Sequence, residues 1–144
     1  MAKVLAVNIS EEKGTPKQQV EQGYFAVDCG LQGDAHAGAW HRQVSLLGIE
    51  SFRKMQTAGR QELPPGSFAE NLTTEGIILF ELPIGTMLQV GEVLMEVTQI
   101  GKECHTGCAI RQIIGDCVMP REGIFAKIIT PGVVKPGDSL EIAG

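Results

Sequence analysis

The chain has 144 residues, of which 43% are hydrophobic and 20% charged, with a formal net charge of −5. That length fits one domain over 1–144 able to bury its own core, and the composition excludes a disordered chain. The acidic balance argues against an extended nucleic-acid surface, and no apolar run is long enough to span a membrane.

The apolar segment from Met1 to Val7 is too short for a signal-peptide core and has no small-residue cleavage site after it, so the expected compartment is the cytoplasm. Thiols stay reduced there, and Cys29, Cys104, Cys108 and Cys117 are not expected to form disulfides. The 18 glycines and seven prolines break the chain into short apolar runs, the pattern of a mainly β fold with few helices. Lys3–Ile9 reads as the first strand. Ser10–Gln22 reads as a loop or poorly formed hairpin, and Gln43–Leu47 as a short strand.

Ile49–Ala58 has a helical apolar face in Ile49, Phe52 and Met55, an i,i+4 pair in Glu50 and Lys54, and Gly59 as a stop. Gln61–Gly66, with Pro64 and Pro65, is a loop. Thr86–Val90 and Val93–Ile100 form a hairpin across Gly91-Glu92, where a first glycine suits a type II′ turn. Val93, Met95 and Val97 alternate with polar neighbours, as a half-buried strand requires. Ile110, Ile113, Ile114 and Cys117 make one stripe of a second helix between Thr106 and Cys117. Ile124–Thr130 is a strand, and Pro136-Gly137-Asp138 turns into a last one, Ser139–Ile142.

Four clusters carry candidate chemistry. In the first, Gln99 to Cys108, Cys104 follows a strand and a glycine and precedes a helix. The positive end of a helix dipole and the nearby cations Lys102, His105 and Arg111 favour the thiolate, which is both the nucleophile and the soft-metal ligand. The plainer reading is a packed cysteine, which suits Cys117 on the isoleucine stripe and Cys29 beside a glycine-rich turn. Cys108 reads as a neighbouring or resolving thiol. The spacing of Cys104, His105, Cys108 and Cys117 matches no usual zinc pattern, so structural zinc is not expected.

The second cluster is Gly33-Asp-Ala-His-Ala-Gly38 with Trp40-His41-Arg42-Gln43. Its glycines let backbone approach a ligand, and Arg42 can fork onto a phosphate; otherwise it is a surface turn with solvated His36 and His41. The third is Pro64 to Leu72, where the Asn71 amide can read the donor–acceptor edge of a pterin or simply hold its own turn. In the fourth, Arg121 precedes a glycine and a strand and can bind an anion or be an ordinary loop arginine.

In this order the clusters resemble the MOSC family, the domain found at the C-terminus of molybdenum-cofactor sulfurases. The matching run takes in Gly30-Leu-Gln-Gly-Asp-Ala-His36, Arg42-Gln-Val-Ser-Leu46, Gly66-Ser-Phe-Ala-Glu-Asn-Leu72 with Gly76, Ile84-Gly85 and Val90-Gly91. It continues through the segment ending at Cys104, then Gly123 and Pro136-Gly-Asp138. The resemblance implies a MOSC-type β-barrel with a few short helices and a cleft. It implies the molybdenum cofactor, molybdopterin, in that cleft, near His36, His41, Arg42, Asn71, Lys102, Arg111 and Arg121. It implies that Cys104 is the working residue, carrying sulfur as a persulfide or ligating molybdenum, as in relatives that reduce N-hydroxylated compounds. Many members have proline before this cysteine and tryptophan after it, whereas Glu103 and His105 stand here, a departure from the reductase branch. With no pyridoxal-dependent desulfurase domain in the sequence, a cysteine desulfurase or a molybdoenzyme is the expected partner, and neither nucleic acid nor membrane is. The alternative is a non-catalytic module that binds or delivers the cofactor.

Overall fold

The structure, a computed structural model, describes residues 2–10, 18–34, 38, 43–50, 70–101 and 123–143. Eleven strands and one 3-10 turn fall within them. β1 (Lys3–Ile9), β2 (Gln18–Val20), β5 (Val44–Gly48), β6 (Leu72–Glu75), β7 (Met87–Val90), β8 (Val93–Ile100), β9 (Ile124–Thr130) and β11 (Leu140–Ala143) make one sheet, in the order β11-β7-β8-β9-β5-β6-β1-β2. β3 (Gly23–Ala26), β4 (Gly30–Leu31) and β10 (Gly132–Val134) make a second, ordered β10-β3-β4. The 3-10 turn is Leu79–Glu81.

The fold is mainly β, as the glycine-punctuated runs predict. β8 and β9 have the predicted limits, and in β8 Val93, Met95 and Val97 are buried between half-exposed neighbours. The β7–β8 hairpin pairs Val90 with Val93. Gly91 at its tip has φ 56°, and Asp28 is the non-glycine residue at positive φ, so Glu92 is outside that region and the signs are those of a type II′ turn. β2 pairs with β1 from Val7↔Val20 to Ile9↔Gln18, so the uncertain stretch after Ser10 does return as a hairpin strand. β3, β4 and β10 were not anticipated. They are two to four residues long, too short to display a period.

The sheet's strand order is open at β11 and β2, and among the described residues no closed ring is found, so the mainly β class is shown and the barrel is not. Val4 N–H donates to the Asp138 carbonyl at 2.8 Å, Gly137 N–H to Val4 at 2.7 Å and Leu140 N–H to Ala2 at 3.1 Å. Lys3 and Ser139 form an isolated antiparallel bridge. The ladder ends where the chain turns over Lys135–Asp138, with Asp138 N–H donating to the Lys135 carbonyl at 3.1 Å. Of the expected helices, Ile49–Glu50 is helical; the rest of Ile49–Ala58 and the whole of Thr106–Cys117 lie outside the described residues.

One core joins the two sheets. Phe25, Leu31 and Val134 from the small sheet are fully or almost fully buried with Leu46, Leu72, Leu88, Met95 and Ile124 from the large one. β5 and β6 are parallel, with Leu46↔Leu72 and Gly48↔Thr74 in register. A parallel pair requires a crossover connection, which the chain between Gly48 and Leu72 supplies.

Candidate functional site

Strand register decides where each candidate segment is anchored. Leu46 of β5 and Ile100 of β8 both oppose Ile124 of β9, so the end of β5, the end of β8 and the start of β9 share one edge of the sheet. Beyond it, Gly101 N–H donates to the Gly123 carbonyl at 2.7 Å, and Gln99 Nε2 donates to the Gly101 carbonyl at 2.7 Å. The segment 102–122 therefore leaves and returns through a closed base. Lys102, Cys104, Arg111 and Arg121 belong to it and lie outside the described residues, as do Cys108 and Cys117.

The second cluster is anchored at the opposite edge. Gln43 is buried at the start of β5, and its Oε1 accepts the Ile128 N–H at 3.0 Å. His36, His41 and Arg42 precede it and lie outside the described residues. Asp34, from the same cluster, is buried, and its Oδ1 accepts the Ser10 N–H at 3.0 Å beyond the end of β1. The two anchor points are separated by the length of β5, about 15 Å at ~3.3 Å per residue.

Asn71 is the one predicted site residue whose side chain is described, and it is completely buried. Its Oδ1 accepts from Ser45 N–H at 3.0 Å and Ser45 Oγ at 3.2 Å, and its Nδ2 donates to the Asn8 carbonyl at 3.3 Å. Asn71 N–H donates to the Ser45 carbonyl at 2.9 Å, and Asn8 N–H to the Asn71 carbonyl at 2.7 Å. Asn71 thus ties β1 to β5 just before β6 begins. Beside it, the buried Glu70 carboxylate accepts Thr73 Oγ1 at 2.7 Å. Asn8 Nδ2 donates to the Glu70 carbonyl at 3.1 Å and to Thr73 Oγ1 at 3.0 Å. Asn8, Ser45, Glu70 and Thr73 were missed. The available signal was Asn8 itself, a polar residue within the apolar run Lys3–Ile9.

Cys29 is a free, partly buried thiol whose carbonyl accepts the Gly38 N–H at 2.7 Å. Among the described residues no three His, Cys, Asp or Glu side chains gather as a metal site, and no helix is long and apolar enough to cross a membrane.

The sequence of the MOSC domain family matches residues 33–141, three quarters of the chain, including Cys104 and both anchored segments. This chain belongs to the MOSC domain family. Solved structures share its fold. The YuaD protein of Bacillus subtilis superposes with a TM-score of 0.80 at 19% identity, covering 97% of this chain and 94% of its own. YiiM from Geobacillus stearothermophilus gives 0.76 at 17% identity, covering 100% of this chain and 76% of its own. YiiM from Escherichia coli gives 0.67 at 22% identity, covering 98% and 70%. No curated protein matches this chain. The MOSC domain family is generally linked to molybdenum-cofactor-related function.

Proposed function

We propose that this MOSC domain binds the molybdenum cofactor and that Cys104 is its working residue, carrying sulfur as a persulfide. The observation that carries the reading is the family match through Cys104, in a segment whose base the Gly101–Gly123 hydrogen bond closes. Cys104 lies three positions beyond that base in sequence, between Lys102 and Arg111, whose charges favour the thiolate. The donor set suits the cofactor: a thiolate is a soft ligand, and arginine forks match its phosphate. His36, His41, Arg42, Lys102, Arg111 and Arg121 would hold the cofactor, which when bound supplies molybdenum chemistry. Asn71 would position the chain between β1 and β5, since its amide is already engaged there.

In sulfur carriage, the Cys104 thiolate attacks the terminal sulfur of a donor persulfide. The donor cysteine leaves as a thiolate, and no net electrons are exchanged. A pyridoxal-phosphate-dependent cysteine desulfurase is the partner this chemistry requires, and the cytoplasm the compartment. We also read the Ala2–Val4 contact with Gly137–Leu140 as the seam of a barrel-like sheet.

Mass spectrometry of protein incubated with a cysteine desulfurase and cysteine is expected to show an adduct of about 32 Da on Cys104, one sulfur atom, removed by reductant. Bound molybdopterin with an unmodified Cys104 would instead make the domain a delivery module. Absence of both would end the reading. Limited alkylation at neutral pH should label Cys104 ahead of Cys29, Cys108 and Cys117. Replacing Arg42, Arg111 or Arg121 by lysine should each weaken cofactor binding about tenfold, the loss of one forked charge-assisted contact. Unchanged affinity in all three would leave them as surface charge.

A further inference from the structure

Glu50 stands at the end of the sheet where β5 and β6 finish, and it is half-buried. Its Oε2 accepts the Gly76 N–H at 2.8 Å, while Oε1 is buried and has no hydrogen-bond partner. Thr74 is completely buried, and its Oγ1 also has no partner. Both oxygens lie near Gly48. A Cβ placed on Gly48 would lie 2.7 Å from Glu50 Oε1, 3.7 Å from the Ile77 carbonyl oxygen and 3.8 Å from Thr74 Oγ1. Glycine at 48 spares Glu50 Oε1 that close contact.

A buried carboxylate oxygen is ordinarily matched by a cation, because burial removes the water that would screen its charge. Among the described residues no ion pair reaches Glu50; the exposed pairs of the sheet are Lys3–Glu75 at 3.8 Å and Lys127–Glu96 at 3.8 Å. We propose that Glu50 Oε1, Thr74 Oγ1 and the Ile77 carbonyl hold a monovalent metal cation beside Gly48. The donor set is all oxygen, which selects a hard cation. It carries one formal charge, whereas calcium and magnesium sites gather more oxygens, several of them carboxylate. The bound ion would join the end of β5 to the connection after β6, on the edge from which 102–122 departs.

The test is thermal unfolding in NaCl, KCl or tetramethylammonium chloride at equal ionic strength. Sodium or potassium should raise Tm saturably over tetramethylammonium, by about 4 °C at ten times the dissociation constant. Glu50→Gln and Thr74→Val should lose the difference, whereas Thr74→Ser, which keeps the hydroxyl, should retain it. A thallium-soaked crystal should show anomalous density within bonding distance of Glu50 Oε1. A Tm indifferent to the cation, or a water alone at that position, overturns the proposal.

Discussion

Asn71→Ala is expected to destabilise the protein by about 3–5 kcal/mol, read as a lower urea midpoint with an unchanged slope. The substitution removes the acceptor of Ser45 N–H and the donor to the Asn8 carbonyl, both in buried surroundings. Each buried polar group left without a partner costs about 1–3 kcal/mol, and the lost side chain leaves a cavity as well. Against a total stability of about 5–15 kcal/mol for a domain, that is a large fraction. Asn71→Asp should recover little. It preserves the oxygen facing Ser45 but sets a second oxygen against the Asn8 carbonyl, where an N–H stood at 3.3 Å. A loss below about 1 kcal/mol in Asn71→Ala would mean that the network does not hold β1 to β5. Normal stability with lost cofactor binding would give Asn71 the direct pterin contact first expected of it.

Gly30→Ala should be as damaging, for a different reason. Gly30 has φ +96°, a conformation side chains rarely adopt, and its Cβ would sit 2.3 Å from the Gln43 carbonyl oxygen. That oxygen belongs to backbone entering β5 and cannot swing aside as a side-chain tip does. Backbone strain and forced displacement together are expected to cost about 4 kcal/mol or more, with little folded protein at 37 °C. Gly33→Ala is the matched control. Gly33 has φ +86°, but among the described residues its Cβ would meet only Ile9 Cδ1 at an ordinary 3.5 Å. It should cost about 1–2 kcal/mol, the backbone term alone. Equal losses in the two variants would dismiss the Gln43 contact as the cause.

These two residues mark the limit of what the sequence discloses. Gly30 and Asn71 both stand in the motifs that carry the MOSC resemblance, so the sequence flags them without saying why. For Asn71 the amide suggested a ligand contact, yet its described partners are Ser45, 26 positions back, and the Asn8 carbonyl, 63 back. Nothing within the 66–72 motif points to either. Glu50 was read as half of a surface i,i+4 pair with Lys54, whereas its carboxylate reaches Gly76, 26 residues on.

The sequence by itself determined the long strands, the hairpin at Gly91-Glu92, the mainly β class and the family. Those features rest on alternation and turn chemistry, which act between neighbours and so are written in consecutive residues. Only the tertiary structure decided that the short strands β3, β4 and β10 exist, since they form where a partner strand supplies hydrogen bonds. It also decided that the sheet order stays open and that the Arg42 and Cys104 segments are anchored at opposite ends of β5. Strand order and the choice of a buried polar partner are long-range: their energy comes from groups tens of residues apart, and burial makes an unmatched group costly.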